Sequence, residues 1–270
     1  MSSSPSDMSS SRPLALVTGA SSGIGFTLAR LFAENGFDLV VNAENAGLHR
    51  AAEELRGGGA SVQAVQADLT RYEEVERLYA AATASGRPVS AAALNAGVGR
   101  NGAFVDNDLA DELEIIELNV TSTVHLAKLV LRDMVARNAG RLLITSSVAA
   151  TMPGPFQAVY NASKSFLQSF AEALHSELKE TQVSVTSLMP GPTDTEFFHR
   201  AEMDDTKMGQ SSKDSAAQVA QQGFDALMAG REKVVAGSLK TKAQGLAGAV
   251  LPDALKAEGH RRMAEPGSGE

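Results

Sequence analysis

No cysteine occurs among the 270 residues. That excludes a disulfide framework and any thiolate-based metal or redox centre. Histidine is sparse, with five residues at 49, 125, 175, 199 and 260 and none paired at metal-ligand spacing. They read as surface or packing residues, and no metal site is expected. The net charge is −8 and no lysine or arginine cluster stands out, which argues against a nucleic-acid surface. No apolar run approaches the roughly 20 residues that a membrane span needs. The opening MSSSPSDMSSSRP is polar and has no apolar core of a secretory signal, so residues 1–12 read as a flexible leader. The closing EGHRRMAEPGSGE reads as a loose tail. A cytoplasmic protein is the expectation.

What is present is a regular alternation. With 43% hydrophobic residues the chain can build one sizeable core. Short apolar runs at 14–18, 38–42, 61–66, 90–95, 141–146, 183–189 and 233–237 read as strands. Amphipathic stretches at 23–35, 46–57, 71–85, 108–138, 156–180 and 214–229 read as helices between them. Strict alternation of apolar strands with helices implies a parallel sheet covered on both faces. The expected fold is therefore a single-domain, doubly wound α/β fold of Rossmann type, with about seven strands. It spans 13–240, with a segment at about 192–213 placed to be a lid and 241–270 as a C-terminal extension.

The first strand runs into TGASSGIG (18–25) and then into a helix. Gly19 permits the tight turn, Gly23 lets backbone approach a ligand, and Gly25 lets the helix pack against the sheet. The free N–H groups of the loop and helix start, from Ser21 and Ser22 to Ile24, suit a pyrophosphate. Later, AVYNASKSF (158–166) places Tyr160 and Lys164 four residues apart with only small residues between them. On a helix these two share one face. A nearby ammonium favours phenolate and lowers the phenol from its usual value of about 10. Such a phenol can exchange a proton with a carbonyl or alcohol oxygen. ITSSVA (144–149) ends a strand and offers a hydroxyl at the rim of the same crevice.

Together these segments resemble the short-chain dehydrogenase/reductase family. The glycine spacing G-x-x-x-G-x-G after Thr18 matches it, as does the Tyr160–Lys164 pair. LNAG (94–97) is similar to the family's NNAG, with Leu94 in place of the first Asn. ELNVTS (117–122) and PGPTDT (190–195) follow in the family's order. The resemblance implies a catalytic set of Asn119, Ser147, Tyr160 and Lys164. It selects Ser147 over Ser146, which is left facing the backbone or the pocket wall. It implies that Lys164 binds the cofactor ribose and tunes Tyr160, and that Asn119 holds a water beside the lysine. It places Asn95, Ala96 and Gly97 on the adenosine side, Asp68 at the adenine ring, and Pro190, Gly191, Thr193 and Thr195 beside the nicotinamide. The cofactor implied is NAD or NADP. Ala43 stands where NAD-type members carry Asp, and Glu44 where NADP-type members often carry Arg. A carboxylate at 44 repels a 2′-phosphate, so NAD is favoured, although Arg50 lies nearby.

The expected substrate is a fairly apolar ketone, aldehyde or secondary alcohol, walled by Met152, Pro153, Phe156, Phe197, Phe198 and Met203. A homodimer or homotetramer through the helices at 108–138 and 156–180 is implied by resemblance. A second class of function is a non-catalytic dinucleotide-binding sensor or interaction protein. Such a protein would be expected to lose the Tyr or the Lys; this chain keeps both.

Overall fold

The computed structural model describes residues 12–269. The Ser-rich leader lies outside the described residues apart from Arg12. That guanidinium is anchored, donating to the carbonyls of Ala33, Gly36 and Gly59.

Strand β1 (Leu14–Thr18) is buried along its whole length, because alternate side chains point to opposite faces and both faces are covered. Ala15 and Val17 pack with Leu28 and Phe32 of α1 (Gly23–Glu34). Leu14 and Leu16 enter the opposite layer. Strand β2 (Asp38–Ala43) pairs with β1, and β3 (Val62–Gln66), reached through α2 (Gly47–Arg56), pairs with β2. The chain then returns through α3 (Tyr72–Thr83) to β4 (Val89–Leu94) on the other side of β1. A helical stretch follows as α4 (Leu109–Ile115), a π-helical turn over Ile116–Thr121, and α5 (Ser122–Ala136). Strand β5 (Gly140–Thr145), α6 (Ala158–Glu177) and β6 (Val183–Pro190) continue the pattern. Leu78 of α3, Leu126 of α5 and Leu167 of α6 complete the layer that Leu16 faces.

Beyond β6 the chain forms the two-residue strand β7 (Thr193–Asp194), the short helices α7 (Phe197–Arg200) and α8 (Lys207–Gln210), and β8 (Asp214–Ser215), which pairs with β7. Helix α9 (Ala216–Met228) packs on α1, with the rings of Phe32 and Phe224 edge to face at 5.2 Å. Strand β9 (Lys233–Ala236) closes the main sheet, whose order is β3-β2-β1-β4-β5-β6-β9 with every pair parallel. The order reverses between β1 and β4, and a crevice opens beyond their C-terminal ends.

Two departures from the sequence reading matter for the site. The stretch expected as one helix over 108–138 is interrupted by the π turn that carries Asn119; insertions of this kind recur at functional sites. The expected loose tail is ordered. Helices α10 (Leu239–Val250) and α11 (Asp253–Ala264) follow β9. His260 and Ala264 are buried, and the backbone N–H of Gly269 donates to the Asp205 carbonyl at 2.9 Å.

Candidate active site

The crevice is a continuous cavity of about 710 Å³ that runs from the glycine loop to α11. Its floor is built by backbone that side chains would block. Gly19 has φ +66°, a left-handed conformation. A Cβ on Gly25 would lie 2.2 Å from the Gly19 carbonyl oxygen. Helix α1 starts at Gly23 with no side chain capping it, so its first N–H groups face the cavity lined by Ser21, Ser22, Gly23 and Ile24. An open helix N-terminus over a side-chain-free floor fits the pyrophosphate of a dinucleotide.

Thr18 ties this loop to the next strand end. Its hydroxyl oxygen accepts from the N–H of Asn95 at 2.9 Å and of Ala96 at 3.0 Å. The Thr145 hydroxyl donates to Asn95 Oδ1 at 3.2 Å. The ends of β1, β4 and β5 are thus laced together, and Asn95, Ala96 and Gly97 line the cavity. Pro190, Gly191, Thr193 and Thr195 line it from the end of β6, and a Cβ on Gly23 would come within 2.9 Å of the Thr195 methyl.

Glu44 is exposed and lines the cavity at the end of β2. Burial, then the carboxylates of Glu44, Asp111 and Asp68, hold the Glu114 carboxyl above its usual range. Of these carboxylates Glu44 lines the cavity, and Arg100 partly offsets the group. Arg50 lines an adjoining recess with Glu54 and with Ser21, which also lines the main cavity. Asp68 is not brought into the lining. Its Oδ1 accepts from the N–H and hydroxyl of Thr70 at 3.0 and 2.7 Å, a tight turn that faces the carboxylate to its own loop, while Ala67 and Leu69 line the cavity.

Ser147, Tyr160 and Lys164 converge on the middle of the cavity. Ser147 follows β5; its oxygen accepts from Ala149 N–H at 3.1 Å and its hydroxyl donates to the Pro190 carbonyl at 3.4 Å. Ser146 also lines the cavity, while its hydroxyl donates to the Lys164 carbonyl at 2.9 Å. Lys164 is buried, and its ammonium donates to the Thr145 carbonyl at 3.0 Å. Burial pushes that ammonium down to about 8. Tyr160 is partly buried and lines the cavity. Burial pushes the phenol up to about 12, opposed by the neighbouring Ser147 hydroxyl. This reverses the expected direction. Lys164 Nζ is 5.8 Å from the tyrosine ring centre and its hydrogen bond goes to Thr145, so desolvation outweighs the cation.

Asn119 does not line the cavity. Its Oδ1 accepts from Val98 N–H at 2.9 Å, and its Nδ2 donates to the Val98 carbonyl at 2.9 Å and to Ser163 Oγ at 3.0 Å. It braces the turn after β4 against α6. A Cβ on Gly97 would lie 3.0 Å from Asn119 Oδ1 and 3.4 Å from Lys164 Nζ, so both stand directly behind that turn.

Met152, Phe197, Phe198 and Met203 line the cavity as expected, and the Phe197 ring sits 5.2 Å from that of Tyr160. Pro153 and Phe156 do not: Pro153 is exposed, and Phe156 lies beneath the Arg261 guanidinium at 5.4 Å. Sequence reasoning missed Gln157, Thr241, Lys256 and His260, all of which line the cavity. Their place depends on contacts up to 105 residues apart in the chain.

A family model described as short chain dehydrogenase matches residues 13–206. The chain belongs to the short-chain dehydrogenases. This dehydrogenase is 36% identical over 188 residues to dehydrogenase/reductase SDR family member 4 of Bos taurus, covering 68% of this chain and 67% of that one. It is 33% identical to the oxidoreductase UcpA of Salmonella typhimurium, over 66% of this chain and 68% of that one. Among solved structures, a short-chain dehydrogenase from Sphingobium yanoikuyae in complex with NADPH superposes with a TM-score of 0.77 at 29% identity, covering 82% of this chain and 87% of that one. One from Burkholderia phymatum in complex with NAD gives 0.76 at 27%, over 83% and 88%. The short-chain dehydrogenase described here is thus an oxidoreductase. Among its described residues no helix is long and apolar enough to cross a membrane, and no cluster of His, Asp and Glu is suited to a metal.

Proposed function

We propose that this enzyme interconverts a fairly apolar carbonyl compound and its secondary alcohol with NAD(P), and that NAD is preferred. The observation that carries the reading is the convergence of Ser147, Tyr160 and Lys164 on a cavity floored by the glycine loop. A bound nicotinamide supplies or takes the hydride. Ser147, held by Ala149 and Pro190, orients the substrate oxygen. Tyr160 holds the proton given to that oxygen in reduction. A phenol pushed up to about 12 is fully protonated at neutral pH, which suits it as the donor. Lys164 would hold the ribose of a bound cofactor, and its charge would favour the developing phenolate. Asn119 is a positioning residue, holding the turn behind which Lys164 stands.

The preference for NAD rests on Glu44 and the acidic surroundings it shares with Asp68 and Glu114. These carboxylates repel a phosphate dianion, and Arg50 lies outside the cavity. A second copy of the chain covers Leu109, Leu113 and Ile116 on α4 and its π turn, together with Phe166 on α6, which are 64%, 46%, 42% and 45% exposed. The sensor reading gains no support, since the proton donor, the cation and the serine are all assembled at one place.

The test is a panel of ketones and secondary alcohols, scored by absorbance of the reduced nicotinamide, with wild type and Tyr160→Phe. Wild type should turn over at least one apolar member. The variant should lose about 10²–10⁴-fold in kcat with nearly unchanged NADH affinity. Near wild-type turnover by Tyr160→Phe refutes the assignment.

A further inference from the structure

Helices α10 and α11 lie beyond the residues matched by the family model and roof one end of the cavity. Helix α11 is clamped from both sides. Lys256 Nζ donates to the Thr151 carbonyl at 2.8 Å, and the residues after the helix bond Asp205 and Lys207. The wall here is rich in thioethers and aliphatic groups, from Met152, Met203, Met208, Leu255 and Met263. Such a surface adapts to apolar ligands of varied shape.

Two buried polar side chains interrupt it. His260 is 6% exposed, and its Nδ1 lies 3.1 Å from the Pro155 carbonyl oxygen. A carbonyl only accepts, so Nδ1 carries the hydrogen, and the neutral ring then presents Nε2 as an acceptor. Burial lowers the imidazole below its usual value, against a smaller raising effect from the Pro155 bond, so it is neutral at pH 7. Nε2 has no partner among the described residues. Gln157, 4% exposed, donates through Nε2 to Met203 Sδ at 3.2 Å. Its Oε1 likewise has no partner among the described residues. Both side chains line the cavity. They belong together in space, since Pro155 holds His260 and Gln157 is two residues further on. Neither acceptor is sealed off, so both are open to the cavity, where a ligand's donor group can meet them without breaking a bond to the protein.

We propose that His260 and Gln157 form a subsite for a hydroxyl group on an otherwise apolar carbonyl substrate. This deepens the proposed function and rests on it. Gln157 is the residue that precedes α6 and stands three residues before Tyr160, so the subsite and the proton donor share one cavity.

The experiment compares 4-(4-hydroxyphenyl)butan-2-one with 4-phenylbutan-2-one, using the full-length enzyme with NADH. Turnover is measured as kcat and KM, and binding by calorimetry, in wild type, His260→Leu and His260→Gln. Wild type should favour the hydroxylated ketone about tenfold or more in Kd and KM, the scale of one buried hydrogen bond. His260→Leu should collapse the ratio between the two ketones towards one, and His260→Gln, which keeps an acceptor, should restore part of it. NADH affinity should be the same in all three. Equal binding of the two ketones by wild type overturns the proposal, as does a preference that survives in His260→Leu. Weakened NADH binding in the variants overturns it too, by assigning His260 to the cofactor. If both ketones turn over without preference, the subsite fails and the oxidoreductase reading stands. If neither turns over but the hydroxylated one binds through His260, the subsite stands and the choice of reaction fails.

Discussion

Replacing Lys164 by methionine should stabilise the cofactor-free protein while abolishing its activity. The ammonium is buried, and its one hydrogen bond among the described residues goes to the Thr145 carbonyl, with no carboxylate in salt-bridge range. Burial lowers it from 10.5 to about 8. At about 1.4 kcal/mol per pH unit, keeping that charge in the fold at pH 7 costs about 3 kcal/mol. Methionine is of similar length and uncharged. It leaves the Thr145 carbonyl without its donor, a loss of about 1 kcal/mol. The net gain is about 2 kcal/mol, or roughly 4–8 °C in Tm for a domain of this size. The sign of the pH dependence follows from the lowered value. Below about pH 8 the lysine is charged in both folded and unfolded states, and the penalty is complete. Between about 8 and 10.5 the unfolded chain binds the extra proton, so wild-type stability rises with pH. The advantage of Lys164→Met should therefore narrow from about pH 8 and nearly vanish by about pH 9.5. Scanning calorimetry of the two proteins from about pH 6.5 to 9.5 measures this directly. A variant that melts lower than wild type at neutral pH, or a gap that ignores pH, refutes the claim that this ammonium is held at the fold's expense. If the gap behaves as stated, a residue that weakens the fold is present for its chemistry.

Gly25→Ala should weaken NADH binding and lower stability by about 1–3 kcal/mol, since its Cβ would meet the Gly19 carbonyl oxygen at 2.2 Å; unchanged affinity by fluorescence titration counts against the loop as the pyrophosphate seat. Glu44→Arg should raise the ratio of kcat/KM for NADPH over NADH by about tenfold or more, and an unmoved ratio would place the 2′ position elsewhere. Leu113→Asp should shift the mass seen by light scattering from an oligomer to a monomer. A wild type that is already monomeric removes the proposed interface.

Much of the architecture was legible because its signals are local. LALVT reads as a buried strand from five consecutive residues, and β1 is buried throughout. The glycine loop is marked by residue types that only close approach requires, and Gly25 against the Gly19 carbonyl bears that out. Tyr160 and Lys164 share a helix, so their spacing alone placed them on one side of it. The π turn at Asn119 was not legible, since a six-residue turn is too short for apolar spacing to tell it from α-helix. Nor was the turned-away Asp68, whose partner is decided by loop geometry.

By itself, the order of residues determined the alternation of strands and helices, the loop at the end of β1, and the pairing of a phenol with an amine on one helical face. These depend on neighbours within a few residues, where backbone geometry leaves few choices. The tertiary structure alone decided that α11 returns to roof the cavity, that His260 lines it, and that Tyr160 is pushed up to about 12 by its surroundings. Burial and desolvation are properties of what packs around a group, and in this protein the packing partners lie up to 105 residues away along the chain.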